Sequence, residues 1–93
     1  MIVTRVKTDN LTPQDKGICG EFTVYLDDIL CIHKVFVING EKGLFISFPN
    51  TGKMSRYANS KRFHDIVHPT KTSLRLHIQD KVLEHYNDEV SKL

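Results

Sequence analysis

Histidine and cysteine are the side chains of this chain best suited to catalysis or metal binding, and its 93 residues contain five and two of them. His64, Asp65 and His68 lie close together, but their spacing matches neither HExxH nor a familiar zinc pattern. We therefore predict no metal site and no cofactor, and we expect Asp65 or His68 to hold the backbone through hydrogen bonds. A small hydrolase built on these three residues is the alternative.

The two cysteines, Cys19 and Cys31, fall in strand-like segments, where nothing evident promotes the reactive thiolate. GxSxG, P-loop and GxGxxG motifs are absent from the sequence. We predict that the chain is not an enzyme. No apolar run has the length of a signal peptide or of a membrane span, so we expect a cytoplasmic protein with reduced thiols and no membrane insertion, although the two thiols could pair.

Positive charge is concentrated in one segment. Residues 42–64 contain no Asp or Glu, and their basic residues are Lys42, Lys53, Arg56, Lys61 and Arg62. The rest of the chain carries eight basic and eleven acidic residues, and the formal net charge is +2. This asymmetry suits a polyanion, and Tyr57 could stack on an exposed base. The alternatives are a solvated basic loop and a tyrosine that anchors it to the sheet.

The start of the predicted C-terminal helix has an unusual order of charges. Lys71 and Arg75 lie in its first turn, whereas Glu84, Asp88 and Glu89 lie in its second half. The helix dipole favours the opposite order, and a helix start without carboxylates is suited to bind phosphate. We expect an anion site there, with Arg75 partly held because it falls within the apolar arc. The alternative is that both basic side chains point into water.

Alternating apolar residues and turn signals predict the strands that position these side chains. Asp27-Asp28 marks a tight reversal, and Asn39-Gly40 followed by Gly43 marks a hairpin. His33 falls inside a strand and is interpreted as a core or interface residue. The predicted strands are Ile2 to Lys7, Ile18 to Leu26, Ile29 to Ile38, Leu44 to Phe48 and, as a short fifth one, Phe63 to Val67.

The fourth strand is apolar on both faces, which predicts that both are covered. One cover would be the helix and the other a second subunit, so we expect its apolar residues to form a dimer interface: Leu44, Phe45, Ile46 and Phe48.

The helix should begin at Thr70 or Thr72, either of which can cap it, and extend over about 72–90. Its apolar arc contains Leu74, Leu76, Ile78, Val82, Leu83, Tyr86 and Val90, and its opposite side contains His77, Asp80, Lys81, Glu84 and Asp88. His77 and His85 are interpreted as ordinary polar positions. The predicted fold is α+β: one domain over 1–93, with an antiparallel sheet of four to five strands, a meander with hairpins, in 1–67 and the C-terminal helix packed on it.

Three linked motifs resemble the SpoVG family, the bacterial stage V sporulation protein G or septation regulator group. They are VFVINGEKGLFISFP, FHDIVHP and RLHIQDKVLEHY, and their order and spacing match over about residues 1–87. The resemblance implies a small cytoplasmic homodimer that binds DNA, and in some members RNA, and regulates septation, sporulation or gene expression.

Carried onto this chain, the resemblance places a nucleic-acid surface on the loop after Pro49, the FHDIVHP turn and the helix start. Arg75 occupies the family's arginine position, and Lys53 lies roughly where the family has a Lys/Arg pair. The segment between Pro49 and Phe63 is longer than the family pattern and lacks its Pro-Asp-Gly turn. The residues that we predict to bind nucleic acid are Lys53, Arg56, Lys61, Arg62, His64 (where the family commonly has arginine), Lys71 and Arg75, and of these Arg56, Lys61 and Arg62 rest on charge alone. The alternative function is a protein-interaction adaptor in cell division that binds no nucleic acid.

Overall fold

The computed structural model describes the backbone of residues 1–54 and 63–93, and the side chains of residues 1–50 and 66–93. Six strands precede one helix: β1 (Val3–Leu11), β2 (Gly17–Leu26), β3 (Leu30–Gly40), β4 (Gly43–Ser47), β5 (Asn50–Met54), β6 (Phe63–Asp65) and α1 (Thr72–Ser91). The first four strands form one antiparallel sheet in the order β1-β2-β3-β4, and α1 packs on it. The predicted α+β meander is confirmed.

Both predicted hairpins are present. Asp27 and Asp28 have φ angles of 53° and 55°, and the Ile29 amide donates to the Leu26 carbonyl at 3.0 Å. Two consecutive left-handed residues are typical of the type I′ turn, whose twist matches that of the strands it joins. In the second hairpin, Asn39-Gly40 ends β3 instead of forming the turn, because Gly40 pairs with Gly43 across Glu41-Lys42.

Strand boundaries differ from the predictions where pairing extends or shortens a strand. β1 continues beyond the predicted end at Lys7 to Leu11, which lies opposite Gly20. β5 was not predicted, and β6 is shorter than the predicted fifth strand. These two strands pair only with each other, as a separate two-stranded ribbon.

The core lies between α1 and the face of the sheet that we call the inner face. It consists of Cys19, Phe22, Val24, Leu26, Ile32, Val35, Val37, Ile46, Phe48, Ile78, Val82 and Tyr86. Gly20 allows this packing, because a Cβ there would lie 2.7 Å from a ring carbon of Phe22. Burial, with a smaller contribution from the adjacent Cys19 thiol, raises the pKa of the Tyr86 hydroxyl above its usual 10.0.

Three helix positions depart from the predicted pattern. Leu76 is 52% exposed, so its placement within the packed arc was wrong. His77 accepts a hydrogen bond from the Val3 amide at 3.2 Å, and Nε2 of His85 lies 2.8 Å from the Thr8 hydroxyl. Both histidines therefore contact β1, and their interpretation as ordinary polar positions was also wrong. The packed arc is rotated towards β1.

The other face of the sheet, the outer face, is not covered by α1. His33 is exposed there, so its interpretation as a core residue was wrong, whereas the interface alternative stays a prediction. Among the residues that the structure describes, no helix is long and apolar enough to cross a membrane.

Candidate nucleic-acid interface

The start of α1 is positively charged and carries no side-chain cap. The N-cap residue is Lys71, with extended backbone angles, so neither threonine is the cap that the sequence predicted. The first turn contains no acidic residue. The partial positive charge of the helix N-terminus is therefore reinforced by Lys71 and met by no carboxylate of its own turn.

Arg75 is held at this helix start by an aromatic ring. Its guanidinium carbon lies 5.1 Å from the ring centroid of Phe48, which is itself fully buried. The Arg75 amide donates the first helical hydrogen bond, to the Lys71 carbonyl at 3.1 Å. A cation over a ring within about 6 Å is attracted to the ring's face. The side chain is thus exposed to solvent but positioned, as expected from its place in the sequence.

The ribbon formed by β5 and β6 begins directly beyond Phe48. Its pairing places Asn50 opposite Asp65 and Met54 opposite Phe63. The Ile66 amide donates to the Pro49 carbonyl at 2.6 Å, and the Asn50 side-chain amide donates to the Phe48 carbonyl at 3.0 Å. These bonds fix the base of the ribbon to the end of the sheet.

Only some of the residues predicted to bind nucleic acid lie in the part of the chain that the structure describes. The backbone places Lys53 on β5 and His64 on β6. Four further predicted residues lie outside the described part of the chain: Arg56, Tyr57, Lys61 and Arg62. They belong to the segment that joins the two strands of the ribbon. Lys71 and Arg75 are the predicted nucleic-acid-binding residues whose side chains are described.

A cleft lies beside the helix start. Its volume is about 360 Å³, and it is lined by Met1, Lys71, Ser73, Leu74 and His77. Sequence analysis did not identify Ser73 and His77 as site residues. The signal that could have found them is their spacing, because residues four apart on a helix share a face.

The residues predicted to form a dimer interface lie on both faces of the sheet, in β4 and directly after it. Ile46 and Phe48 are 4% and 0% exposed in the core of the protomer itself, and Leu44 packs against that core. Phe45 is 43% exposed and pairs with Ile38 on the outer face. The surface available to a second copy at β4 is therefore the outer face around Phe45.

Of the three residues of the hydrolase alternative, His68 is the one whose side chain the structure describes. Nδ1 of His68 lies 3.0 Å from the Pro69 carbonyl oxygen, a local contact that suits a backbone-holding role. Within residues whose side chains are described, no group of three or more His, Cys, Asp or Glu residues could hold a metal ion.

Comparison with known proteins agrees with the resemblance found in the sequence. The SpoVG family model matches residues 1–88. This chain belongs to the SpoVG family. Relatives named "Putative septation protein SpoVG" include one from Agathobacter rectalis, which is 39% identical over 76% of each chain. The relative from Finegoldia magna is 36% identical over 95% of this chain and 74% of its own, and that from Clostridioides difficile is 33% identical over 95% and 89%.

Proposed function

We propose that this SpoVG-family chain is a cytoplasmic regulator that binds nucleic acid, with DNA as the first candidate and RNA as the second, as a homodimer and thereby influences septation, sporulation or gene expression. The observation that carries the proposal is the start of α1. There Lys71 forms the N-cap, the first turn lacks a carboxylate, and the Arg75 guanidinium lies over Phe48, next to the base of the ribbon.

Phosphate is the ligand that this arrangement favours. A helix N-terminus offers backbone amides and a partial positive charge to an anion, and an arginine can bind two phosphate oxygens at once. The ribbon and its connecting segment add Lys53, Arg56, Lys61 and Arg62 within the same stretch of sequence. A polyanion longer than a single phosphate would be needed to engage both parts.

A homodimer is supported by the outer face. Ile18, Ile38 and Phe45 follow one another across β2, β3 and β4 in the pairing register, and Ile18 and Phe45 are 49% and 43% exposed. Directly opposed residues on neighbouring strands lie on the same face, so these three form an apolar row. Covering this row with a second copy would also double the number of basic residues that meet one nucleic acid.

Salt dependence of binding tests the proposal most directly. If each protomer contacts about four phosphates, log affinity for duplex DNA should fall with log salt with a slope near −7 for the dimer. The measurement is fluorescence anisotropy of labelled DNA and RNA of mixed sequence, titrated at several salt concentrations. Affinity that does not change between low and moderate ionic strength would overturn the proposal.

A crossed pair of substitutions separates binding from folding. Lys71→Glu places a carboxylate at the helix start, where it should stabilise the helix by about 0.3–1 kcal/mol. The same substitution should remove a phosphate contact from each protomer. Lys92→Glu makes the same charge change at the C-cap, where it should cost a similar amount. We expect Lys71→Glu to weaken binding and reduce the salt slope by about 2 without loss of stability. Lys92→Glu should keep binding despite its lower stability.

An adaptor function is the second candidate, favoured by the relatives' septation name and by the exposed apolar row. In that case the partner would be a protein bound to the outer face, and the basic ribbon would be incidental. The double variant Lys61→Glu, Arg62→Glu distinguishes the two functions. A nucleic-acid-binding protein should lose its DNA or RNA probe, whereas an adaptor should keep its protein partner.

A further inference from the structure

A chain of hydrogen bonds crosses three strands on the outer face. The Thr23 hydroxyl donates to Oδ2 of Asp9 at 2.6 Å and lies 3.1 Å from Nδ1 of His33. The other ring nitrogen of the histidine, Nε2, lies 3.6 Å from the sulfur of Cys31. Beyond Asp9, the Lys7 amine lies 3.8 Å from its second carboxylate oxygen. A nucleophile, a base and two groups that orient the base are thus arranged in sequence.

Two irregularities of the sheet bring these side chains together. On β1 the register shifts between Thr8 and Asn10, which makes Asp9 an extra residue. On β3, two residues between Ile32 and Val35 oppose the single Thr23 of β2, and the second of them, Lys34, has a φ of 59°. Bulges change the direction of side chains, and a left-handed non-glycine residue costs roughly 1–2 kcal/mol. The sheet is therefore deformed on both sides of Thr23.

The hydrogen bonds define where the protons are. Thr23 has one hydroxyl hydrogen, and the Asp9 carboxylate accepts it. The Thr23 oxygen must then accept from Nδ1 of His33, which leaves Nε2 of the neutral ring free to accept the proton of Cys31. If that proton moves to Nε2, the Nδ1 bond is unchanged. Proton transfer from sulfur to nitrogen therefore breaks no other hydrogen bond in the chain.

We infer that Cys31 is a thiol–disulfide exchange site, at which His33 acts as the base and small disulfides are the substrates. The sulfur of Cys31 attacks one sulfur of the substrate as Nε2 takes its proton. A new S–S bond forms, the substrate's S–S bond breaks, and the departing thiolate takes the proton from the imidazolium. Cys31 is oxidised to a mixed disulfide and the departing half of the substrate is reduced to a thiol.

The site is open to such a substrate. Cys31 is a free, half-buried thiol on the uncovered face, whereas Cys19 is fully buried in the core. Ile38, in the apolar row assigned above to the homodimer, lies seven positions further along β3, roughly 20 Å away at the rise of a strand. The inferred exchange site therefore does not depend on whether that row is covered.

The pairing of Cys31 with His33 was not among the predictions from the sequence. Cys31 and His33 are two positions apart, a spacing that places side chains on one face of a strand. The hydrogen bonds that Thr23 and Asp9 add to this site depend on the two bulges. The spacing of residues in the sequence does not predict them.

The test is the reaction of the full chain with dithiodipyridine, a neutral aromatic disulfide, followed by release of thiopyridone. We expect a fast phase of one thiol per chain, assigned to Cys31, and a slow phase from buried Cys19. Cys31→Ser should abolish the fast phase. His33→Gln should slow the fast phase by at least about tenfold, since a positioned base typically accelerates a reaction roughly 10²–10⁴-fold. His68→Gln, which removes an exposed histidine elsewhere, should leave the rate unchanged.

The positioning residue Thr23 provides a rescue experiment. Thr23→Val removes the hydroxyl that orients the ring and should slow the fast phase severalfold, whereas Thr23→Ser should restore it. Asp9→Asn removes the carboxylate from the exposed end of the chain and should also slow the reaction, with circular dichroism confirming the fold of each variant. A fast phase that survives in Cys31→Ser, or that is unchanged in His33→Gln, would overturn the inference.

Discussion

The inner and outer faces of the four-stranded sheet hold their side chains in different ways. On the inner face, apolar side chains such as Phe22 and Val35 are fully buried beneath α1. On the outer face, the polar chain from Asp9 to Cys31 is held by hydrogen bonds, and Phe45 remains exposed. One face thus provides stability through burial, and the other retains groups that can react or bind.

Truncating one phenylalanine on each face tests this difference with the same change in chemistry. Phe22→Ala should lower the free energy of unfolding by about 3–5 kcal/mol, because it opens a cavity in the core. Phe45→Ala should change the stability of the monomer by less than about 0.5 kcal/mol, as is usual at the surface. Urea denaturation monitored by circular dichroism, at a protein concentration low enough for the chain to be monomeric, measures both values. Equal losses would contradict the assignment of the core to the inner face.

Phe45 on the outer face also provides a test of self-association. Light scattering should report a dimer for the wild type and a monomer for Phe45→Glu, which places a charge within the apolar row. A wild-type monomer at micromolar concentration would contradict the proposed dimer.

The stability of the protein at alkaline pH distinguishes the inner and outer faces of the sheet by a smaller effect. The folded state raises the pKa of Tyr86, so its contribution is fully present below pH 10 and is lost as pH rises through the folded value. Stability should then fall by up to about 1.4 kcal/mol per pH unit from this single group. Tyr86→Phe should remove that part of the decline, measured by urea denaturation at successive pH values. Tyr25→Phe, on the outer face beneath Arg5, is the matched control and should retain the decline.

The smallest expected effect concerns the outer-face bulge. Glycine adopts the left-handed conformation of Lys34 without steric cost but loses more entropy on folding, so Lys34→Gly should stabilise by only about 0.5 kcal/mol. Lys34→Ala keeps the Cβ and should be close to neutral. Thermal unfolding of both variants provides the comparison. A glycine variant less stable than the alanine variant would show that φ is not strained there.

Much of the inner face was predictable from residue spacing. The alternation of apolar residues predicted β2, in which Phe22, Val24 and Leu26 are buried, and the positions of Ile78 and Val82 identified the packed side of the helix. Each prediction depended on a local period that the backbone imposes on any amphipathic element. The helix begins at Thr72, one of the two predicted starts, although the cap itself is Lys71.

The candidate site was predictable in part. The family motifs and the order of charges identified Lys71 and Arg75 before any geometry was known. The contact between Arg75 and Phe48 joins residues far apart in sequence, and no local pattern predicts which ring lies beneath the guanidinium. Leu76 shows the converse error, since its apolar character placed it in the packed arc, whereas the structure leaves it 52% exposed.

The sequence by itself determined the family, the α+β class, the strand and helix periods and the concentration of positive charge. These properties depend on residue type and on short-range spacing. Only the tertiary structure decided that His77 and His85 contact β1, that β5 and β6 form a separate ribbon, and that two bulges direct Asp9 and His33 onto Thr23. Each of these depends on which strand lies beside which and in what register, and register is set by the packing of the whole sheet.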